Sequence, residues 1–177
     1  MPEDRDRPDG RKLRIFAAVL PANTLTPKDD PLLILAGGPG QGSKAMYPAV
    51  AGAFARIGRE RDLVLVDQRG TGGSAALDCA LDDEALTEAD DAVALALTRR
   101  CLETFAQRPQ DVRQYTTSIA VQDLERVRVA LGYGTINLYG VSYGTRVAQH
   151  YLRRHPAAVR SLILDGVVPP GLALGPA

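Results

Sequence analysis

Tryptophan is missing from this 177-residue chain, and aromatic side chains of all kinds make up only 5% of it. A core must therefore be assembled mainly from Ala, Leu, Val and Ile. Net charge is missing too: Lys+Arg 21 balance Asp+Glu 21. That balance argues against a basic nucleic-acid binder or a polybasic membrane-surface protein. No apolar run approaches the roughly 18 residues that a membrane span needs. The opening MPEDRDRPDG is polar and acidic and does not read as a signal peptide. A cytoplasmic location is the default for such a chain, and a periplasmic or secreted one follows if it belongs to a longer exported precursor. Two cysteines and two histidines are fewer ligands than a metal site usually needs, and no cofactor is expected.

What is present is an ordinary folding mixture, 45% hydrophobic and 24% charged, which excludes wholesale disorder. Repeats and low-complexity tracts are absent. Residues 1–12 read as a frayed, charged lead-in, followed by a strand over 13–20 that Pro21 closes. Short continuous apolar runs at 32–36 (LLILA), 62–67 (DLVLVD), 135–139 (TINLY) and 161–165 (SLILD) have the look of strands buried on both faces. Helices are predicted between them, over about 44–57, 84–107, 118–131 and 143–154. Val93, Leu97, Cys101, Leu102 and Phe105 fall at helical spacing, as do Val121, Leu124, Val127 and Leu131. Thr117 or Ser118 is the expected cap of the third helix and Gly132 its end. Strands alternating with helices through short links predict an α/β fold, a mostly parallel, doubly wound sheet with helices on both faces.

The sharpest chemical signal is Gly140-Val141-Ser142-Tyr143-Gly144, set between a predicted strand and a predicted helix. A serine on a turn this tight is thrust clear of the sheet, and the glycines two positions either side give it clearance. The helix beginning at Tyr143 directs its positive end toward an anionic intermediate. Gly37-Gly38-Pro39-Gly40 ends the earlier strand at 32–36 and leaves bare backbone N–H groups at the same sheet edge as Ser142. Those of Gly38 and Tyr143 are the candidate oxyanion hole, each such donor worth about 2.7–4 kcal/mol in the transition state. A phosphate loop is disfavoured. Gly37 to Gly42 has the G-x-x-x-x-G spacing, but Ser43-Lys44 follows where Lys and then Ser or Thr is required. Asp67-Gln68-Arg69-Gly70-Thr71-Gly72 reads as a loop-bracing segment rather than a catalytic one.

LAGGPGQGS, DQRGTGGS, INLYGVSYGTRVA and LILDGVVPP, in this order and spacing over roughly residues 13–170, resemble the α/β-hydrolase peptidases of the proline iminopeptidase and tripeptidyl aminopeptidase group. The resemblance maps the nucleophile to Ser142 and the oxyanion donors to Gly38 and Tyr143. It departs at Ala36, where the family usually has His. It implies an α/β-hydrolase fold that stops after the family's sixth strand, so residues 1–177 would be the N-terminal portion of one catalytic domain, without cap or C-terminal strands. The implied activity is that of a serine aminopeptidase acting through an acyl-enzyme on a small peptide or acyl substrate. An esterase or lactonase on the same scaffold, or a non-catalytic remnant that binds a partner, stays open.

The family's triad runs Ser, acid, His. His150 lies eight residues past Ser142 and His155 ends the same helix, about 12 Å or more along its axis, outside proton-transfer reach. Asp165 ends its strand, whereas the resembling peptidases place the acid one strand later. The expectation is therefore a chain nearly inactive alone. It is also one whose strand 161–165 forms an exposed apolar edge, open to self-association or completion by a second polypeptide. Nucleic acid and membrane are not expected partners. Two free thiols are the default for Cys79 and Cys101 in an intracellular chain, while resembling exported peptidases often carry a cysteine pair in this region, so both states remain open.

Overall fold

The computed structural model describes residues 1–79 and 90–172. Five strands form one sheet: β1 (Ala17–Leu20), β2 (Leu32–Leu35), β3 (Leu63–Val66), β4 (Ile136–Val141) and β5 (Val159–Asp165). Their spatial order is β1-β3-β2-β4-β5. β1 runs antiparallel to β3, and every other pairing is parallel. Among the described residues four α-helices accompany them: α1 (Ser43–Phe54), α2 (Asp91–Ala106), α3 (Thr117–Ala130) and α4 (Tyr143–Arg154).

The continuous apolar runs of β2 and β3 follow from burial on both faces. Side chains alternate across a strand, so Leu33, Leu35, Val64 and Val66 face one way and Leu32, Ile34, Leu63 and Leu65 the other. The first set joins Leu138 beneath α3 and α4, against Val121, Leu124, Val147 and Tyr151. The second packs against Met46 and Phe54 of α1. Helices therefore cover both faces, as the α/β pattern requires.

Several expectations shift in detail. The lead-in is not frayed. Glu3 N–H donates to Arg11 O at 2.8 Å and Leu13 N–H to Met1 O at 2.7 Å, closing a short antiparallel loop that buries Leu13 and Glu3. The regular strand begins at Ala17 rather than Leu13. The first helix stops at Phe54, short of 57. The cap of α3 is Thr116, one residue before the expected pair, and its side chain accepts the Ile119 N–H. Gly132 does end α3. Its N–H reaches Val129 O and the Tyr133 N–H reaches Arg128 O, the paired bonds of a left-handed glycine stop. The stripe on α2 is largely solvent-facing, with Val93 and Leu102 exposed and only Phe105 buried. The part of that helix predicted over 84–89 lies outside the described residues. Cys79 and Cys101 are joined in a disulfide with Cα atoms 5.5 Å apart. Among the described residues no helix is long and apolar enough to cross a membrane.

Candidate active site

Three parallel strands, β2, β3 and β4, end at the same edge of the sheet, so the connections GGPGQGS, DQRGTGGS and GVSYG converge there. Ser142 stands at the tip of the third. Its φ of 51° and ψ of −121° lie outside the regions a non-glycine residue prefers. Such strain costs on the order of 1–3 kcal/mol and persists only where the surroundings fix it. They do so here. Ser142 N–H donates to Asp165 O at 2.8 Å, and Ser142 O accepts from both the N–H and the hydroxyl of Thr145. The chain then enters α4 at once, and the serine side chain is left exposed.

The flanking glycines are steric requirements. A Cβ on Gly140 would sit 2.4 Å from Gly144 O, and one on Gly144 would sit 2.4 Å from Leu35 O. Both contacts are with backbone, which cannot swing aside. Strand β4, the first turn of α4 and the end of β2 are thus in direct contact, which is what sharpens the bend.

The glycine loop after β2 lies against the serine. A Cβ on Gly37 would come within 3.1 Å of the Ser142 Cβ and 3.7 Å of its Oγ. Gly38 follows with a positive φ of 97°, turning the backbone past the serine. Among the described residues the N–H groups of Gly38 and Tyr143 have no hydrogen-bond acceptor. The N-terminus of α4 adds its partial positive charge at the same point.

Two side chains fasten this loop. Ser43 Oγ donates to Ile34 O at 2.9 Å and accepts from Ala36 N–H, folding the start of α1 back onto β2. Asp67, at the end of β3 and almost fully buried, accepts from the N–H of Lys44 at 3.0 Å and of Gly73 at 2.9 Å. Its carboxylate thereby caps α1 from another strand and ties the two loops together. Arg69 spans further still. Its guanidinium donates to both oxygens of Asp123 and to the carbonyls of Glu3 and Gln114. The segment read as bracing is indeed a brace, although no sequence pattern indicates that Arg69 reaches α3.

A cavity of about 260 Å³ opens between the glycine loop and Tyr143, the residue after the serine, and is lined by Pro39, Gly40, Gln68, Tyr115, Thr117 and Tyr143. The phenol of Tyr143 lies 2.6 Å from the Thr117 hydroxyl, fixing that part of the cavity wall. Sequence reasoning missed Thr117 in this role and assigned it to the helix cap.

The remaining titratable candidates are engaged elsewhere. Asp165 is exposed and its carboxylate accepts from Tyr139 Oη at 2.7 Å. Burial, and then that hydrogen bond, push the Tyr139 phenol up to about 12. His150 faces Ser118 Oγ at 3.4 Å, and the His155 ring lies against Tyr151.

An exposed serine on a strained strand-to-helix bend, with a glycine loop folded onto it at the carboxyl edge of a parallel sheet, is the arrangement of an α/β hydrolase. The model of the alpha/beta hydrolase fold family matches residues 30–176, and the chain belongs to that family. It is 30% identical to a tripeptidyl aminopeptidase of Streptomyces lividans over 96% of its length. It is 32% identical to the serine protease Hip1 of Mycobacterium tuberculosis, again over 96%, and 30% identical to a proline iminopeptidase of Neisseria meningitidis over 80%. The chain spans about a third of these relatives, 34%, 35% and 34% of their lengths. Among solved structures, a proline iminopeptidase-related protein from Thermus thermophilus superposes with a TM-score of 0.56 at 24% identity, over 86% of this chain and 40% of that one. That likeness concerns the fold.

Proposed function

We propose that the chain carries the nucleophile and oxyanion half of a serine hydrolase of aminopeptidase type, which cleaves short peptides through an acyl-enzyme at Ser142. The observation that carries this reading is the contact between Gly37 and the exposed Ser142, which brings the glycine loop beside the hydroxyl. In the reaction Ser142 Oγ attacks the scissile carbonyl, and the N–H groups of Gly38 and Tyr143 receive the developing oxyanion. The acyl-enzyme forms as the C–N bond breaks and the amine leaves with the proton. The names of the peptidase relatives support the substrate class.

Neither histidine stands where it could take the serine proton. His150 stands eight residues on from Ser142, about 12 Å of axial rise, and His155 lies just past the far end of α4. Loss of a triad base lowers kcat by about 10⁶. On this reading the 177 residues alone retain the oxyanion hole and slow acylation but not peptidase turnover.

A fluorophosphonate probe tests the reading. Labelling at Ser142, located by peptide mass and abolished in Ser142→Ala, is expected. A folded protein that stays unlabelled at Ser142 while other hydroxyls react would reject it. Hydrolysis of aminoacyl and tripeptidyl anilides at ordinary peptidase rates would reject the absent base and leave the nucleophile standing.

A further inference from the structure

The outer face of α4 carries four basic side chains, Arg146, His150, Arg153 and Arg154, and no acid. Three of them border a cleft of about 270 Å³ between α4, the start of α3 and the segment that leaves β5. The hydroxyl residues Thr116, Thr117 and Ser118 complete its wall with Pro170. Among the described residues no carboxylate lines it. Among the described residues none of the ion pairs includes Arg146, Arg153 or Arg154. Arg146 is pinned in place, since its Nη2 donates to the carbonyls of Pro169 and Leu172. Its Nε is buried with no acceptor among the described residues. That is a charged donor removed from water and left unmatched, which is costly unless an acceptor arrives.

We propose that this cleft binds a small oxyanion, a phosphate, sulfate or carboxylate group, at a site separate from Ser142. Arg146 and Arg153 supply the charge, and the hydroxyl of Ser118 and the ring of His150 supply further donors. The cleft lies along the flank of α4 and shares Thr116 and Thr117 with the cavity near the serine, while Arg146, His150 and Arg153 stand about 6, 12 and 16 Å of helix rise beyond Ser142.

His150 reports on occupancy. Burial, then Arg154 and Arg153, hold its imidazole below the ordinary value. From α3 the ring meets Ser118, and the segment after β5 brings Pro170, neither of them ionisable. A bound anion reverses the repulsion, so it raises the His150 pKa and binds more tightly when the ring is protonated.

The test uses the purified chain and sulfate, whose charge is constant between about pH 5 and 8. Sulfate replaces chloride at fixed ionic strength while the His150 ring resonance is followed. A saturable shift with a rise in the His150 pKa is expected, with His155, which lies tilted against Tyr151, unmoved. Arg153→Ala, an exposed change that leaves the fold intact, should weaken binding about tenfold or more. Acetate and phosphate arms assign the ligand: parity of acetate with sulfate points to a carboxylate, and preference for phosphate or sulfate to a tetrahedral anion. A His150 signal that follows ionic strength alone, or binding unchanged by Arg153→Ala, overturns the proposal.

Discussion

Gly37 and Ser142, 105 positions apart in the sequence, lie so close that one added methyl carbon would touch the serine Cβ at 3.1 Å. The same carbon would stand 3.2 Å from Val141 O, a far looser approach than at Gly140 and Gly144, where a carbonyl oxygen lies at 2.4 Å. Gly140→Ala and Gly144→Ala should therefore lower stability by about 3 kcal/mol or more, because overpacking against backbone has no cheap relief. Gly37→Ala should keep most of the stability and displace Ser142 by a few tenths of an ångström. Its fluorophosphonate labelling should fall about tenfold, since acylation depends on sub-ångström placement. Urea unfolding beside labelling rates separates the two effects. Equal labelling of Gly37→Ala and the parent would mean that this contact does not position the serine.

A second prediction concerns Arg69 and Asp123, whose side chains are 0% and 2% exposed. The pair joins the connection after β3 to α3, and Arg5 from the N-terminal loop meets the same carboxylate. Removing one partner of a buried pair strands the other charge, at a cost of about 3–5 kcal/mol. Asp123→Asn should lower the unfolding midpoint steeply, since Arg69 and Arg5 then face no anion there. Glu60→Gln, which breaks an exposed pair with Lys28, should barely move it. Comparable small shifts for both variants would show that the buried network is not a keystone.

A third prediction is an acid limb governed by Asp30. Burial alone would raise its pKa. Hydrogen bonds from Asn137, Arg160 and Arg61 outweigh that and hold it at about 2, below the ordinary 3.8. The unfolded chain thus binds this proton more readily than the folded one. The contribution to stability is fully present above about 3.8 and is lost as the pH falls toward 2. Asp30→Asn should flatten the fall in stability across that window and lower stability at neutral pH. A variant whose acid limb matches the parent's would assign the limb to other carboxylates.

The elbow was legible in the sequence because its requirements are local. The residues that must be small are two positions from the serine, and the strand and helix around it show in the pattern of apolar residues. The alternating strands and helices likewise betray themselves over a few residues each. What escaped was long-range. The first 12 residues look frayed because the contacts that fasten them to the fold are made with residues far along the chain. Glu3 is held by the Tyr115 phenol and Arg5 by Asp123, 112 and 118 positions away. The antiparallel direction of β1 is equally invisible, since alternation does not encode direction. For α2, helical spacing predicted the helix, yet spacing does not say whether anything lies over the stripe. The pairing of Cys79 with Cys101 was open because composition and spacing allow both redox states.

The last prediction rests on β5. It pairs with β4 alone, so its other edge has no strand partner among the described residues. Ile163 is 45% exposed on the face that carries α1, and beside it Val50, Ala53, Phe54 and Tyr139 line an open apolar cavity of about 570 Å³. Unpaired N–H and C=O groups next to uncovered apolar surface form a template for another chain. The purified chain should self-associate as its concentration rises, seen as growth in scattered mass. Ile163→Lys should suppress that growth without unfolding the protein, because a charge on an exposed edge position costs little in the monomer and opposes pairing. Because β5 also anchors the elbow through Asp165 O and Ser142 N–H, a polypeptide that completes the edge should raise the labelling rate of Ser142 as well. Monodisperse monomer at high concentration would remove the edge as an interaction surface.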